Sequence, residues 1–204
     1  SPVSSGNQAG GIWSSSWSWT GLSGLVSNTT YQLAVRVQDN SGNWSAVYST
    51  VTFVYDTTLP VTAIVKPVNG RYYGDNASQG AYFMDALVGT ASDASGISRT
   101  EIRLLDVTAD KYLHTGGWVA GVSSWLAAGQ EAWQYAAPSL NDGSQYRLEA
   151  RAYDLAGNLG AAATYYFYYD MTRPVISLSA PGTTGFQNSL PAVTGSASDP
   201  ASGT

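Results

Sequence analysis

Tyr31-Gln-Leu-Ala-Val-Arg-Val-Gln-Asp39 and Tyr146-Arg-Leu-Glu-Ala-Arg-Ala-Tyr-Asp154 are versions of one run, repeated 115 residues apart. In the second copy Tyr146, Leu148, Ala150 and Ala152 alternate with Arg147, Glu149, Arg151 and Tyr153. A period of two places alternate side chains on opposite faces of a strand, so the first set faces a core and the second faces water. Tyr31, Leu33, Val35 and Val37 keep the same phase in the first copy. Each copy closes on the same turn signal, Ser41-Gly42-Asn43 and Ala156-Gly157-Asn158. Each then enters an aromatic strand, Val51-Thr-Phe53-Val-Tyr55-Asp56 and Tyr165-Tyr-Phe167-Tyr-Tyr169-Asp170. Each ends in a proline junction, Asp56-Thr57-Thr58-Leu59-Pro60-Val61 and Asp170-Met171-Thr172-Arg173-Pro174-Val175.

The repetition extends outward from these runs. Gly89-Thr-Ala-Ser-Asp93-Ala-Ser-Gly96 returns as Gly195-Ser-Ala-Ser-Asp199-Pro-Ala-Ser-Gly203. Gly10-Gly11-Ile12-Trp13 answers to Gly116-Gly117-Trp118, and Trp19 to Trp133. A repeat of this size fits one sandwich domain rather than one turn of a solenoid. The expected organisation is the C-terminal part of a repeat in residues 1–56, a complete repeat in 57–170 and the N-terminal part of a further repeat in 171–204.

Within the complete repeat, Arg99, Glu101 and Arg103 alternate with Ile102 and Leu104 in another half-buried strand. Strands near 61–66, 82–91, 111–118 and 160–169 bring the expected total to about seven, the usual complement of such a sandwich. Asn69-Gly70, Asp142-Gly143 and Gly157-Asn158 mark turns between them. Leu140-Asn-Asp-Gly143-Ser-Gln-Tyr146 predicts a tyrosine corner, in which the phenol bonds backbone a few residues upstream. Leu25 and Tyr31 repeat that spacing. No window carries a sustained helical period, so the fold class is all-β: tandem immunoglobulin-like Greek-key β-sandwich domains.

Composition narrows the function classes. Of 204 residues, 44% are hydrophobic and only 11% charged, so the chain can bury a core. The net charge is −5, and the nine Lys and Arg residues form no run. Nucleic acid and anionic membranes need clustered positive charge, so neither is an expected partner. There is no cysteine, which excludes disulfides and thiolate metal sites. No stretch reaches the roughly 20 apolar residues of a membrane helix, and no signal peptide opens the chain.

The Asp-Thr-Thr-x-Pro junction, the Gly-Thr-Ala-Ser-Asp-x-Ser-Gly turn and the Tyr-x-Leu-x-x-Arg-Ala-x-Asp-x-x-Gly-Asn strand together resemble bacterial Ig-like or fibronectin type III-like repeats of large surface proteins and adhesins. The resemblance covers nearly the whole chain. It implies an extracellular, cell-surface location in a bacterium and a structural role, as spacer and adhesive scaffold in a surface or filament-forming protein. A glycan- or protein-binding module of an adhesin, or an accessory domain of a secreted carbohydrate-active enzyme, is the alternative.

Candidate site residues follow from chemistry at turns and on faces. No catalytic group is expected: His114 is the only histidine, and no serine sits in a nucleophile elbow. Asp56, Asp93, Asp154, Asn158 and Asp170 lie at turns or junctions, where oxygen ligands could serve a calcium ion. Asp and Asn also favour such positions simply by capping local amides. The resemblance implies the same metal, since related adhesin arrays bind Ca²⁺ between domains; no other cofactor is expected. Trp17 and Trp125, flanked by Ser, and Tyr166 and Tyr168, on the outward phase of their strand, are the candidates for stacking on a sugar or a neighbouring protein. Lys66 could be read as half of an isopeptide cross-link, but the matching position is Ala180, so the device would not recur. Both ends cut through a repeat. Either these residues belong to a longer array, the favoured expectation, or neighbouring copies complete the half-domains head to tail; the expected partners are such copies and a glycan or surface protein.

Overall fold

In the computed structural model, the description covers residues 18, 20, 22–75, 82–181, 186–189 and 192–199. The chain divides into two compact units, Ser1–Asp56 and Thr57–Thr204.

In the first unit, β1 (Thr29–Val35) pairs antiparallel with β2 (Ser49–Tyr55), and Tyr31 lies opposite Phe53 with the rings stacked at 5.9 Å. The Tyr31 hydroxyl accepts from the Val26 amide at 2.8 Å, which is the corner bond that the spacing predicts. Asn28, with φ of 58°, takes the left-handed turn position that Gly143 (φ 71°) holds in the second unit. The strand stops at Val35, short of Asp39. Beyond it the chain turns on the Asp39 carboxylate, which accepts from the amides of Ser41 and Asn43 and from the Asn43 side chain.

The second unit is a two-layer β structure with no α-helix among its described residues. One layer consists of β3 (Val61–Lys66), β5 (Ala86–Ser92) and β10 (Ala132–Ala136). The other consists of β6 (Ile97–Asp106), β11 (Ser144–Asp154), β12 (Ala163–Tyr169) and β4 (Arg71–Tyr73). The short β9 (Leu126–Gly129) pairs with both β10 and β6 and joins the layers. β3 and β4 follow one another in sequence but enter different layers: β3 runs antiparallel to β5, while β4 runs parallel to β12. β13 (Val175–Ala180) and β14 (Thr194–Ser198) form a separate antiparallel pair.

The core lies where the alternation placed it. Tyr146, Leu148, Ala150 and Ala152 are fully buried, and Leu87, Ile102, Leu104, Phe167 and Trp133 close around them. Each large apolar side chain so buried contributes about 1.5–3 kcal/mol. Trp133 requires a glycine opposite it. Gly89 is its register partner, and a Cβ there would run into the indole ring and the Ala63 carbonyl. Gly195, the matching glycine of the later motif, has the same constraint: a Cβ would meet the Ser177 carbonyl. The tyrosine corner forms at Tyr146, whose hydroxyl accepts from the Asn141 amide at 2.7 Å and donates to the buried Asp106 at 3.3 Å. The same five-residue bond forms a further time between Tyr73 and the Val68 amide.

Three expectations need correction. Residues 111–118 are not one strand: β7 (Lys111–His114) and β8 (Gly117–Ala120) form a hairpin that turns at Thr115-Gly116. Gly117, with φ of 121°, supplies the backbone freedom for the turn. The strands expected near 82–91 and 160–169 begin later, at Ala86 and Ala163. β4, β9 and β10 add three strands to those expected.

Candidate functional site

The outward residues of β6 and β11 form a charged face. Register places Arg103 opposite Glu149 and Arg151 opposite Glu101, so each carboxylate meets a guanidinium across the ladder. Arg103 grips Glu149 with two parallel bonds, Nε to Oε2 at 2.7 Å and Nη2 to Oε1 at 2.9 Å. Such a fork is among the stronger ion-pair geometries. Arg151 donates through Nε and Nη2 to Glu101 Oε2 at 3.0 and 2.9 Å, and Arg99 donates to Oε1 of the same glutamate at 2.9 Å. Burial alone would raise the Glu101 carboxyl, but the bonds from Arg99 and Arg151 outweigh it and hold the group below the usual carboxylate range. Arg147 Nε lies 3.5 Å from Glu149 Oε2.

Four of the nine basic residues of the chain therefore stand on one face. The expectation of scattered positive charge fails here. The arginines are two residues apart along each strand, and the strands lie about fifty residues apart in sequence, so only pairing gathers them. The carboxylates lie deeper, at 17% and 13% side-chain exposure for Glu101 and Glu149, against 50% for Arg99 and 23–26% for Arg103, Arg147 and Arg151. Solvent thus meets guanidinium before carboxylate.

Aromatic rings cover this array. Trp125, expected as an exposed stacking surface, is half-buried, with Arg151 at 3.9 Å and Arg103 at 4.7 Å from its ring centroid. Arg99 lies 3.7 Å from the Tyr153 centroid. Such contacts favour a fixed guanidinium orientation. Tyr166 and Tyr168 stand on the same face across from β11, with Tyr166 opposite Arg147 and Tyr168 opposite Gln145. Tyr168 stacks on Tyr72 of β4 at 4.6 Å and 15°, and its hydroxyl accepts from Gln145 Nε2 at 3.0 Å. Tyr72 and Tyr166 remain 40% and 39% exposed. Tyr72 was missed because β4 is three residues long and offers no alternation to read. Trp17 lies outside the described residues.

The calcium candidates of the second unit do not all come together. In the second unit, the carboxylates of Asp93 and Asp154 lie within 4.8 Å of each other. Both already hold turns. Asp154 accepts from the amide and the side-chain nitrogen of Asn158, each at 2.8 Å, and Asp93 accepts from the amide and hydroxyl of Ser95, each at 2.8 Å. Asn158 thus points a donor, not an oxygen, at Asp154. A calcium ion takes six to eight oxygens, so the oxygens named here would supply part of its shell. Asp170 follows the far end of β12, at the opposite end of the sheet from Asp154, and its Oδ1 accepts from the Thr172 amide at 2.9 Å. Asp56 closes the first unit, where its Oδ1 accepts from the Ser27 hydroxyl at 2.8 Å.

The exit from β12 is tied down. Asp142 accepts from the Met171 amide at 2.6 Å and the Thr172 hydroxyl at 2.7 Å, and the Asp170 amide donates to the Tyr73 carbonyl at 2.8 Å. The Met171 amide and the Thr172 hydroxyl hold the Asp142 carboxyl below its ordinary value. His114 is committed locally, its Nε2 bonded to the Val122 carbonyl at 2.8 Å. Lys66 pairs with the carboxylate of Asp85, which is 60% exposed, rather than with a buried asparagine. Among the described residues no helix is long and apolar enough to cross a membrane.

Comparison with known proteins supplies two findings. A family model described as a bacterial Ig-like domain matches residues 65–171. Endoglucanase B of Cellulomonas fimi is 27% identical over 143 residues, a match that covers 70% of this chain and 12% of that protein. The chain is therefore similar to a small part of a much longer relative.

Proposed function

The chain belongs to the bacterial Ig-like domain family, and from that premise we propose that it is a non-catalytic spacer segment, built of tandem repeats, in an extracellular bacterial protein. The observation that carries this reading is the tied exit. A spacer must pass orientation and tension from one repeat to the next, and the Asp142 bonds to Met171 and Thr172 fasten the outgoing chain to the body of the repeat. The recurrence of the junction sequence at 56–61 and 170–175 supports the tandem reading.

Asp142→Ala tests it. The substitution should free the Met171 amide to exchange hydrogen at least about tenfold faster, the loss expected for one hydrogen bond to a charged acceptor. Amides of β11 should stay protected. Unchanged exchange at Met171 would remove the support for a fastened exit.

A second reading has its own support. The similarity to Endoglucanase B, and an aromatic, charged sheet face that the core does not use, favour an accessory module that holds a carbohydrate polymer.

A further inference from the structure

We infer that the outward face of β6, β11, β12 and β4 is a binding surface for an anionic polysaccharide, one whose sugar rings carry carboxylate or sulfate groups. This rests on the second reading above and names the ligand class for it.

Charge complementarity carries the argument. Four guanidiniums against two carboxylates leave this face two positive charges in excess, on a chain whose total is −5. The remaining residues of the chain, summed together, are therefore acidic. The two glutamates take the Nε and Nη2 donors of Arg103 and Arg151, so the donors left to a ligand are the remaining N–H groups of the face, above all those of half-exposed Arg99. The paired N–H groups of a guanidinium match carboxylate and sulfate oxygens. Arg99 is half exposed, and Arg147 has its nearest carboxylate oxygen at 3.5 Å, beyond the length of its neighbours' bonds.

The arrangement also selects a sugar polymer over a free anion. Tyr166 stands opposite Arg147 on the neighbouring strand β12, and Tyr168 of the same strand stacks on Tyr72 of β4. A pyranose ring has an apolar face that packs on an aromatic ring, so the arginines of β6 and β11 and the tyrosines of β12 and β4 set a site for an acid group beside a site for a ring face, the two features that a polyuronate or sulfated chain carries. Neighbouring strands are about 4.8 Å apart, which puts Arg147 and the Tyr72–Tyr168 pair within the span of two or three sugar units. A neutral polymer would leave the guanidiniums unanswered. A nucleic acid would need a longer positive track than two charges in excess provide.

The test uses the full chain with four immobilised probes: polygalacturonate, heparin, an uncharged soluble β-glucan and a single-stranded oligonucleotide. Polygalacturonate or heparin should bind, and affinity should fall as sodium chloride rises, because exposed charges are screened. The double substitution Arg99→Gln with Arg147→Gln should weaken binding about tenfold, as expected for two surface charge contacts. Tyr166→Ala should weaken it severalfold with the salt dependence unchanged. Both variants should melt within a few degrees of the native chain, since Arg99 is half exposed, Tyr166 is exposed and the Nε of Arg147 has no hydrogen bond to lose. Binding of the acidic polymers that neither variant alters overturns the assignment of this face. Preference for the neutral glucan overturns the ligand class and leaves the carbohydrate reading standing. Tighter binding of the oligonucleotide overturns the choice of a sugar polymer. Failure to bind any polysaccharide removes both this inference and the reading beneath it.

Discussion

Tyr146→Phe removes one oxygen and leaves the ring. Because the volume is conserved, no cavity opens and the stack of Tyr146 on Phe167 (5.3 Å between centroids) can persist. Two bonds are lost. The Asn141 amide loses its acceptor at 2.7 Å, and Asp106 loses a donor at 3.3 Å. Asp106 is 1% exposed but keeps the Asn141 side chain at 3.1 Å and the Ala109 amide at 2.9 Å. The cost is therefore shared between the part-buried bond of the Asn141 amide and the buried bond to Asp106, each about 1 kcal/mol. The expected loss is about 2 kcal/mol, which lowers the melting temperature of a domain this size by about 10 °C. Urea unfolding of the full chain, followed by fluorescence and circular dichroism, gives the number. The slope with urea should not change, since the surface exposed on unfolding is the same. Leu148→Ala is the calibration, with an expected loss of about 2–5 kcal/mol from a fully buried site. A Tyr146→Phe loss below about 0.5 kcal/mol would refute the claim that the corner bond fastens the β10–β11 crossing, because it would fall under the net worth of one ordinary hydrogen bond.

Three further outcomes follow from the same geometry. Gly89→Ala should destabilise by more than about 3 kcal/mol or prevent folding, since its Cβ meets the Trp133 ring and the Ala63 carbonyl, and overpacking a close-packed interior forces backbone shifts; a melt within a few degrees of the native chain would contradict the packing. Burial pushes the Tyr146 phenol up to about 12 from an ordinary value near 10, so the folded state favours the neutral form. That contribution is complete below pH 10 and is lost as pH rises through 12, an expected decline of about 2–3 kcal/mol in urea titrations that Tyr146→Phe should abolish. Asp154→Ala should cost about 1–2 kcal/mol in EDTA as well as in calcium, because its bonds to Asn158 hold the turn without a metal; a loss that calorimetry finds only with calcium present would assign Asp93 and Asp154 to the ion instead.

The parts of the fold legible in the sequence are those with a local period. β11 reads directly because Tyr146 to Asp154 alternates without a break, and its burial alternates in the same phase. The corner reads from a Leu, a Gly and a Tyr at fixed spacing. The hairpin of β7 and β8 does not read, because Tyr112, Leu113 and Trp118 suggest one apolar run and the turn is carried by Thr115-Gly116-Gly117 alone. β4 and β9 are too short to show any period.

The candidate site was legible only in pieces. Arg99, Glu101 and Arg103 announce an outward face, as do Arg147, Glu149 and Arg151, but that each glutamate answers an arginine depends on register between strands distant in sequence. Trp125 was picked out by its polar neighbours, and nothing local says that two guanidiniums lie against it. Gly89 and Gly195 recur visibly, while the reason is a tryptophan and a carbonyl on other strands. Asp93 and Asp154 read as recurrent turn acids, and their approach to within 4.8 Å is a property of the fold alone.

The most direct measurement of the account is the extension of single molecules pulled from both ends. Residues 57–170, sealed by one buried core, should resist and then yield in one sharp event that releases about 40 nm of chain, the extended length of that many residues. Smooth lengthening, with no event of that size, would mean that no mechanically continuous domain is present.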